Sequence, residues 1–208
     1  MRRRRGAGPQ GPQASPGRPM LRHLPNLITL LRIALVVPLC WLIETGRADL
    51  ALLVAAIAGL SDALDGLLAK RFGWQTWIGG MLDPVADKLL LTASFIWLAR
   101  AGGLPAWLAV LVVGRDVIIV SGAVIYHLLF GRFQAEPSLL SKTTTVLQIA
   151  LVLVVLLHLS RWITLGPAVQ ALLFVIVAAA TVASGVHYIV AWSLRARRSA
   201  TMRRGAGR

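Results

Sequence analysis

Apolar residues fall into six long runs along the chain, near 27–44, 49–69, 82–99, 105–127, 143–160 and 167–193. Each is close to the roughly 20 residues that an α-helix needs to cross a bilayer. The intervals between runs are short and rich in turn residues: Thr45-Gly46-Arg47, Gly79-Gly80, Gly102-Gly103-Leu104-Pro105, Glu136-Pro137-Ser138 and Gly166-Pro167. The alternation of apolar and polar positions that a membrane barrel needs is not visible, so the runs predict helices. The pattern predicts an all-α integral membrane protein, a bundle of six transmembrane helices without internal repeats.

Composition agrees. Of the 208 residues, 57% are hydrophobic, and the mean hydropathy is +0.72, too apolar for an ordinary soluble domain. Against 8 acidic residues stand 22 basic ones, a formal charge of +14. Such a balance suits either nucleic acid or an anionic membrane surface. Here the basic residues gather at the chain ends and in connectors between apolar runs, which favours the membrane and argues against nucleic acid. Arg2 to Arg5, Arg18, Arg22, Lys70, Arg71, Arg132, Lys142 and the arginines from Arg195 to Arg208 fall on one side of a six-span layout. Arg47, Arg100 and Arg161 fall on the other. The asymmetry predicts that both termini are cytoplasmic, in a membrane of the bacterial inner type. Residues 1–20 read as a disordered basic arm, 21–194 as the membrane domain and 195–208 as a basic tail. A signal peptide is the weaker reading of the N-terminus, because no small-residue cleavage pattern follows the first apolar run. Translation from Met20 is a further alternative. Cys40 reads as a packing residue within an apolar run, and the four histidines show no metal-ligand spacing. Tryptophans near run ends, such as Trp41, Trp77, Trp162 and Trp192, fit an aromatic belt.

The acidic residues carry the chemistry. Asp62 and Asp65 are three apart at the end of the second run, and Asp83 and Asp87 four apart at the start of the third. Either spacing puts both carboxylates on one helix face. The two pairs flank one hairpin near its cytoplasmic turn. Asp83-Pro84 reads as an N-cap followed by proline at the first helical position, starting the third helix there. Four carboxylates at membrane depth repel each other and lose hydration. Hard divalent cations answer that, since they take oxygen ligands and combine carboxylates with substrate phosphates. Two such ions can stabilise both oxygens of a phosphoryl transfer. The rival is an ion-pair network with Lys70, Lys88 and Arg115, which leaves the small residues among the acids unexplained. Gly66 and Ala69 would leave space for a flat group beside the carboxylates, or simply allow close helix packing.

The stretch Asp62-x2-Asp65-Gly66-x2-Ala69-Lys70-x8-Gly79-x3-Asp83-x3-Asp87 closely resembles the signature of the CDP-alcohol phosphatidyltransferases. The resemblance implies a transfer of the phosphatidyl group from CDP-diacylglycerol to an alcohol, with CMP released. It implies that Asp62, Asp65, Asp83 and Asp87 bind Mg²⁺ or Mn²⁺, two ions per site, with Asp87 also the general base. It further implies that Gly66, Ala69 and Gly79 form the nucleotide site and that Lys70 meets the diphosphate. At Lys70 the family usually has arginine, so the charge is kept but the planar fork is lost. The opening Leu24-Pro25-Asn26-Leu27-Ile28-Thr29-Leu30-Leu31-Arg32 also resembles family members. Asn26, Thr29 and Arg32 recur every three residues and form a polar edge that can reach the CDP-lipid. A helix-start role explains Asn26 as well. Homodimers are usual in the family, and a homodimer is a possible assembly here.

Two basic positions are candidates for the acceptor's phosphate, Arg115 in the fourth run and Lys142 at the start of the fifth. A pairing of Arg115 with its neighbour Asp116 is not expected, because adjacent helical residues do not face each other. Family enzymes that use glycerol-3-phosphate carry a Gly-Lys-x-Lys-Thr pattern. This chain has Ser141-Lys142-Thr143-Thr144-Thr145, with Thr144 in place of the second lysine. Arg115-Asp116 and Ser141-Lys142 look more like the cardiolipin synthases of the family, whose acceptor is phosphatidylglycerol. Glycerol-3-phosphate, the acceptor of most bacterial members, is slightly preferred, giving phosphatidylglycerophosphate; phosphatidylglycerol is the alternative. A divalent-cation transporter is the remote alternative from another class, disfavoured because the acids cluster on one side of the membrane.

Overall fold

The computed structural model describes the backbone of residues 24–72, 77–130 and 139–205, and the side chains of residues 29–61, 85–122 and 139–191. All of the regular structure there is helical. The elements are α1 (Leu24–Glu44), α2 (Ala48–Phe72), α3 (Trp77–Arg100), α4 (Ala106–Phe130), α5 (Leu139–Leu159) and α6 (Pro167–Gly205). Each coincides with one apolar run. The basic arm lies outside the described residues.

The helix ends show why the chain turns where it does. At the end of α1, Gly46 takes a φ of +72°, its N–H reaches Ile43 O, and the Arg47 N–H reaches Leu42 O. At the end of α3, Gly102 repeats this at a φ of +75°, with Gly102 N–H bonded to Ala99 O and Gly103 N–H to Leu98 O. These left-handed caps satisfy carbonyls that a helix end otherwise leaves open. After α5 the same geometry falls on Arg161, at a φ of 62°, where the sequence offers no glycine to signal it. Pro167 opens α6 at a position where its missing N–H costs nothing.

The expected start of the third helix is corrected. α3 begins at Trp77 and runs through Gly79-Gly80, so Asp83-Pro84 falls in its second turn instead of capping it. Glycines are tolerated there because N–H groups in a first turn have no intrahelical partner to lose. Pro84 then forgoes a single bond, the one to the Gly80 carbonyl.

α1 packs on both α2 and α3; α5 packs on α2, α3 and α6; α4 packs on α3 and α6. The ends of α1 and α3 lie together, since Arg100 Nη2 pairs with Glu44 Oε1 at 3.2 Å. A Cβ on Gly103 would come within 2.9 Å of Leu159 Cδ1 and 3.1 Å of Val155 Cγ1, so α5 ends there too. The dense core sits toward this end, around Leu39, Phe95, Leu98, Leu108, Val112 and Leu156. Outward, every helix presents large apolar residues, among them Val37, Leu53, Val85, Val110, Val146 and Leu172. Apolar surface on that scale marks contact with something other than water. Among the described residues, α5 and residues 167–191 of α6 are long and apolar enough to cross a membrane by length and composition. α6 continues to Gly205 over 39 residues, about 58 Å at 1.5 Å per residue.

The cap geometry gives a direct test. Gly102→Val forces a branched side chain into the left-handed region and is expected to cost about 1–2 kcal/mol. Gly102→Asn is expected to stay close to the parent, since asparagine visits that region readily. Thermal unfolding of the purified protein in detergent compares the two; equal midpoints would contradict the cap assignment.

Candidate active site

Of the four aspartates, Asp87 has its side chain among the described residues. Asp62, Asp65, Gly66, Ala69 and Lys70 lie on the last part of α2, and Gly79 and Asp83 on the first turns of α3. Their side chains, and that of Asn26 on α1, lie outside the described residues. Helix positions alone therefore place the two carboxylate pairs at the same end of the bundle, away from the Glu44–Arg100 contact.

Asp87 is held from α1. Arg32 Nη1 donates to Asp87 Oδ1 at 2.6 Å, with the arginine side chain 1% exposed and the aspartate 49%. Thr29, one turn earlier on α1, is fully buried. The polar edge read from the sequence thus turns inward, and its arginine meets the third helix's carboxylate. A guanidinium buried among apolar helices needs such an anion. The consequence for chemistry is positional: one carboxylate oxygen is held by a buried partner, and the aspartate side chain is 49% exposed.

A second cluster lies beside the first. Lys88 Nζ and Arg115 Nη1 both donate to Asp116 Oδ1, each at 2.7 Å. Arg115 Nη2 donates to Ser141 Oγ at 2.7 Å and to Ser184 Oγ at 2.6 Å. The guanidinium also lies 6.0 Å from the centre of the Tyr188 ring. Asp116 and Arg115 of α4 thereby tie α3, α4, α5 and α6 together. The expectation that Arg115 and Asp116 do not pair is overturned. Adjacent Cβ atoms do point apart, but a long side chain buried to 4% exposure folds back to the carboxylate of its neighbour. Of the rival network, the described residues include Lys88 and Arg115, which bond Asp116, and Asp87, which pairs with Arg32; the side chains of Lys70, Asp62, Asp65 and Asp83 lie outside them.

The two acceptor candidates separate. Arg115 is buried and already bonded three ways, while Lys142 is exposed on α5. Thr144 is fully buried, its hydroxyl bonded within reach of Leu140 O at 2.8 Å and Ala180 O at 3.1 Å. Gln148 continues this polar seam by donating to Thr181 Oγ1 at 3.2 Å. Position 144 therefore serves packing between α5 and α6. Lys88 is the residue that sequence reasoning undervalued. Its signal was available, since a lysine directly after Asp87 within an apolar run is costly without a task.

Arg32, Asp87 and Lys88 stand at one end of a cavity of about 450 Å³ bounded by α1, α2, α3 and α5. A half-exposed carboxylate there can accept a proton from a hydroxyl, and the neighbouring ammonium can face an anion. Asp87 offers oxygen donors, the kind that hard divalent cations take. Among the described residues no three metal-ligating side chains stand together, as only one of the four aspartates is included.

Comparison with known proteins converges on one family. Residues 22–192 match the sequence pattern described as CDP-alcohol phosphatidyltransferase. A Drosophila melanogaster protein named "Probable cardiolipin synthase (CMP-forming)" is 37% identical over 143 residues, covering 61% of this chain and 44% of that protein. A Mycobacterium tuberculosis protein named "Probable phosphatidylglycerophosphate synthase" is 34% identical over 182 residues, 83% of each chain. A Streptomyces coelicolor "Cardiolipin synthase (CMP-forming)" is 34% identical over 149 residues, 67% of this chain and 68% of that one. The chain spans less than half the length of the animal relatives it matches. The acidic hairpin lies wholly within the matched residues, and the chain belongs to the CDP-alcohol phosphatidyltransferase family.

Proposed function

We propose that the chain transfers the phosphatidyl group of CDP-diacylglycerol to phosphatidylglycerol, giving cardiolipin and CMP. The observation that carries the acceptor is the shared carboxylate of Asp116. Lys88 and Arg115 bring two positive charges and Asp116 removes one, so the cluster beside Asp87 has a net charge of +1. That matches the single negative charge of a phosphodiester better than the two of a phosphomonoester. The burial of Thr144 supports the same reading, since position 144 adds no cation to the site. Glycerol-3-phosphate is the second reading, favoured by the Mycobacterium tuberculosis relative that matches across most of both chains.

In this reading Asp62, Asp65, Asp83 and Asp87 hold two Mg²⁺ or Mn²⁺ ions. Bound there, the ions would neutralise charge on the two phosphates of the CDP-lipid. Asp87, fixed by Arg32, takes the proton of the acceptor hydroxyl. The freed oxygen attacks the lipid-side phosphorus, the bond from that phosphorus to the bridging oxygen breaks, and CMP departs. Gly66, Ala69 and Gly79 shape the nucleotide site, with Lys70, Asn26 and Thr29 toward the CDP-lipid. Lys88 attracts the acceptor phosphate and Arg115 holds the cluster in place, with Lys142 exposed on α5 outside that cluster. The apolar outer faces of all six helices support six membrane spans, with both termini and the acids on the cytoplasmic side. Residues 21–194 then form the membrane domain, and the basic ends lie against anionic headgroups.

Three outcomes are expected. With Mg²⁺ and CDP-diacylglycerol in detergent, CMP release should depend on phosphatidylglycerol; dependence on glycerol-3-phosphate instead would replace the acceptor. Asp87→Asn should lower CMP release by about 100-fold or more, measured by chromatography of the nucleotide; near-parental turnover would remove Asp87 as base. Asp116→Asn leaves two neighbouring cations with no carboxylate and should cost about 3 kcal/mol of stability. Lys88→Gln should cost less, because Arg115 still holds Asp116. Thermal unfolding of both variants checks the order, and the reverse order would refute the shared-carboxylate account.

A further inference from the structure

The cavity headed by Asp87 has walls of a particular kind. Apart from Arg32, Asp87 and Lys88, its polar lining among the described residues is Ser94 and Thr145. Both hydroxyls are turned to their own helices: Ser94 Oγ donates to Leu90 O at 2.7 Å and Thr145 Oγ1 to Ser141 O at 3.1 Å. The remaining walls are apolar, with Ala55 and Gly59 on α2, Leu91 on α3, and Ile149, Val152 and Leu153 on α5. Among the described residues a polyol or a free phosphate would find no hydrogen-bond donor below the charged head, and burying one there unpaired is unfavourable. An alkyl chain meets no such penalty.

The direction of the cavity also matters. From Asp87 it follows α3 as far as Ser94, about 10 Å at 1.5 Å per residue. On α2 it follows residues 55–60, away from the turn that carries Gly66 and Ala69. Leu60 and Ile149 line it and are themselves exposed, which places its mouth on the flank of the bundle. An added Cβ at Gly59 would meet nothing within 4 Å, so open space stands beside α2 there. The occupant therefore has a hydroxyl or phosphate at Asp87 and Lys88, an alkyl tail beneath, and enters from the side.

We propose that this cavity holds one acyl chain of the acceptor lipid, and that Gly59 and Leu153 set which chain lengths it accepts. The inference rests on phosphatidylglycerol as the acceptor. The acceptor is favoured over the donor because the acceptor's hydroxyl is the group that must reach Asp87. The proposed function puts the donor's nucleotide on the part of α2 beyond Asp62, which the cavity's lining residues 55–60 do not reach.

The test measures kcat/KM for dioleoyl and dihexanoyl forms of each lipid in mixed micelles, with the full-length protein and two variants that narrow the cavity. Gly59→Leu fills the open space from α2, and Leu153→Phe fills it from α5, so the failure of one variant to fold leaves the other. Elution as a single detergent-solubilised species and far-ultraviolet circular dichroism report folding. Each variant is expected to lower the dioleoyl-to-dihexanoyl ratio for phosphatidylglycerol by about tenfold, as when two methylenes lose their burial. The same ratio for CDP-diacylglycerol is expected to hold. A shift in the donor's ratio instead, or in neither ratio with both variants folded, overturns the assignment. If the parent enzyme accepts only glycerol-3-phosphate, the acceptor reading itself fails, and that is seen without any variant.

Discussion

Charge inside an apolar bundle must be answered by opposite charge, and this constraint organises the active end of the molecule. Arg32 sits at 1% exposure on α1 and is matched by Asp87 on α3. Arg115 sits at 4% exposure on α4 and is matched by Asp116, which also receives Lys88. Neither arrangement is worth much as stability alone, because desolvation of buried ions offsets most of their attraction. Their value is geometric. Breaking either leaves an uncompensated charge, so the helices that carry these residues are fixed in register relative to one another. The seam of Ser141, Thr144, Gln148, Thr181 and Ser184 extends the same fixation along α5 and α6.

That fixation prepares the chemistry. A general base is useful when its position is set before substrate arrives. Arg32, buried on α1, holds one oxygen of Asp87, and Asp87 lines the cavity. The second cluster sits one residue further along α3, so the proposed base and the neighbouring cation form a sequence pair, Asp87-Lys88. Dense packing lies at the other end of the bundle, around Phe95, Leu98 and Leu156. A cavity lies beside Asp87 and Lys88.

Much of this was legible in the sequence. Six apolar runs became six helices, and the turn residues at Gly46, Gly102 and Pro167 stand where the chain turns. The spacing of the four aspartates pointed to the family that comparison shows. Other features were not legible, for physical reasons. The turn at Arg161 places a non-glycine residue in a glycine conformation, which only the surrounding chain can impose. The start of α3 was hidden because Asp83-Pro84 is a good helix opening that the longer helix overrides. The Arg115–Asp116 bond depends on burial by α5 and α6, and rules for exposed helix neighbours do not contain that. Thr144 reads as a lost cation in the sequence but as an interhelical contact in the fold, and periodicity alone cannot separate the two.

The central claim is that an acceptor hydroxyl, deprotonated at Asp87, attacks the lipid-side phosphorus of CDP-diacylglycerol. A heavy-oxygen label in the terminal hydroxyl of phosphatidylglycerol tests it most directly, with mass spectrometry of every product. The account predicts that the label appears in the new phosphodiester of the lipid product and that CMP leaves unlabelled. Label found in a nucleotide ester, or remaining wholly in unreacted phosphatidylglycerol while CMP and phosphatidic acid accumulate, would contradict it.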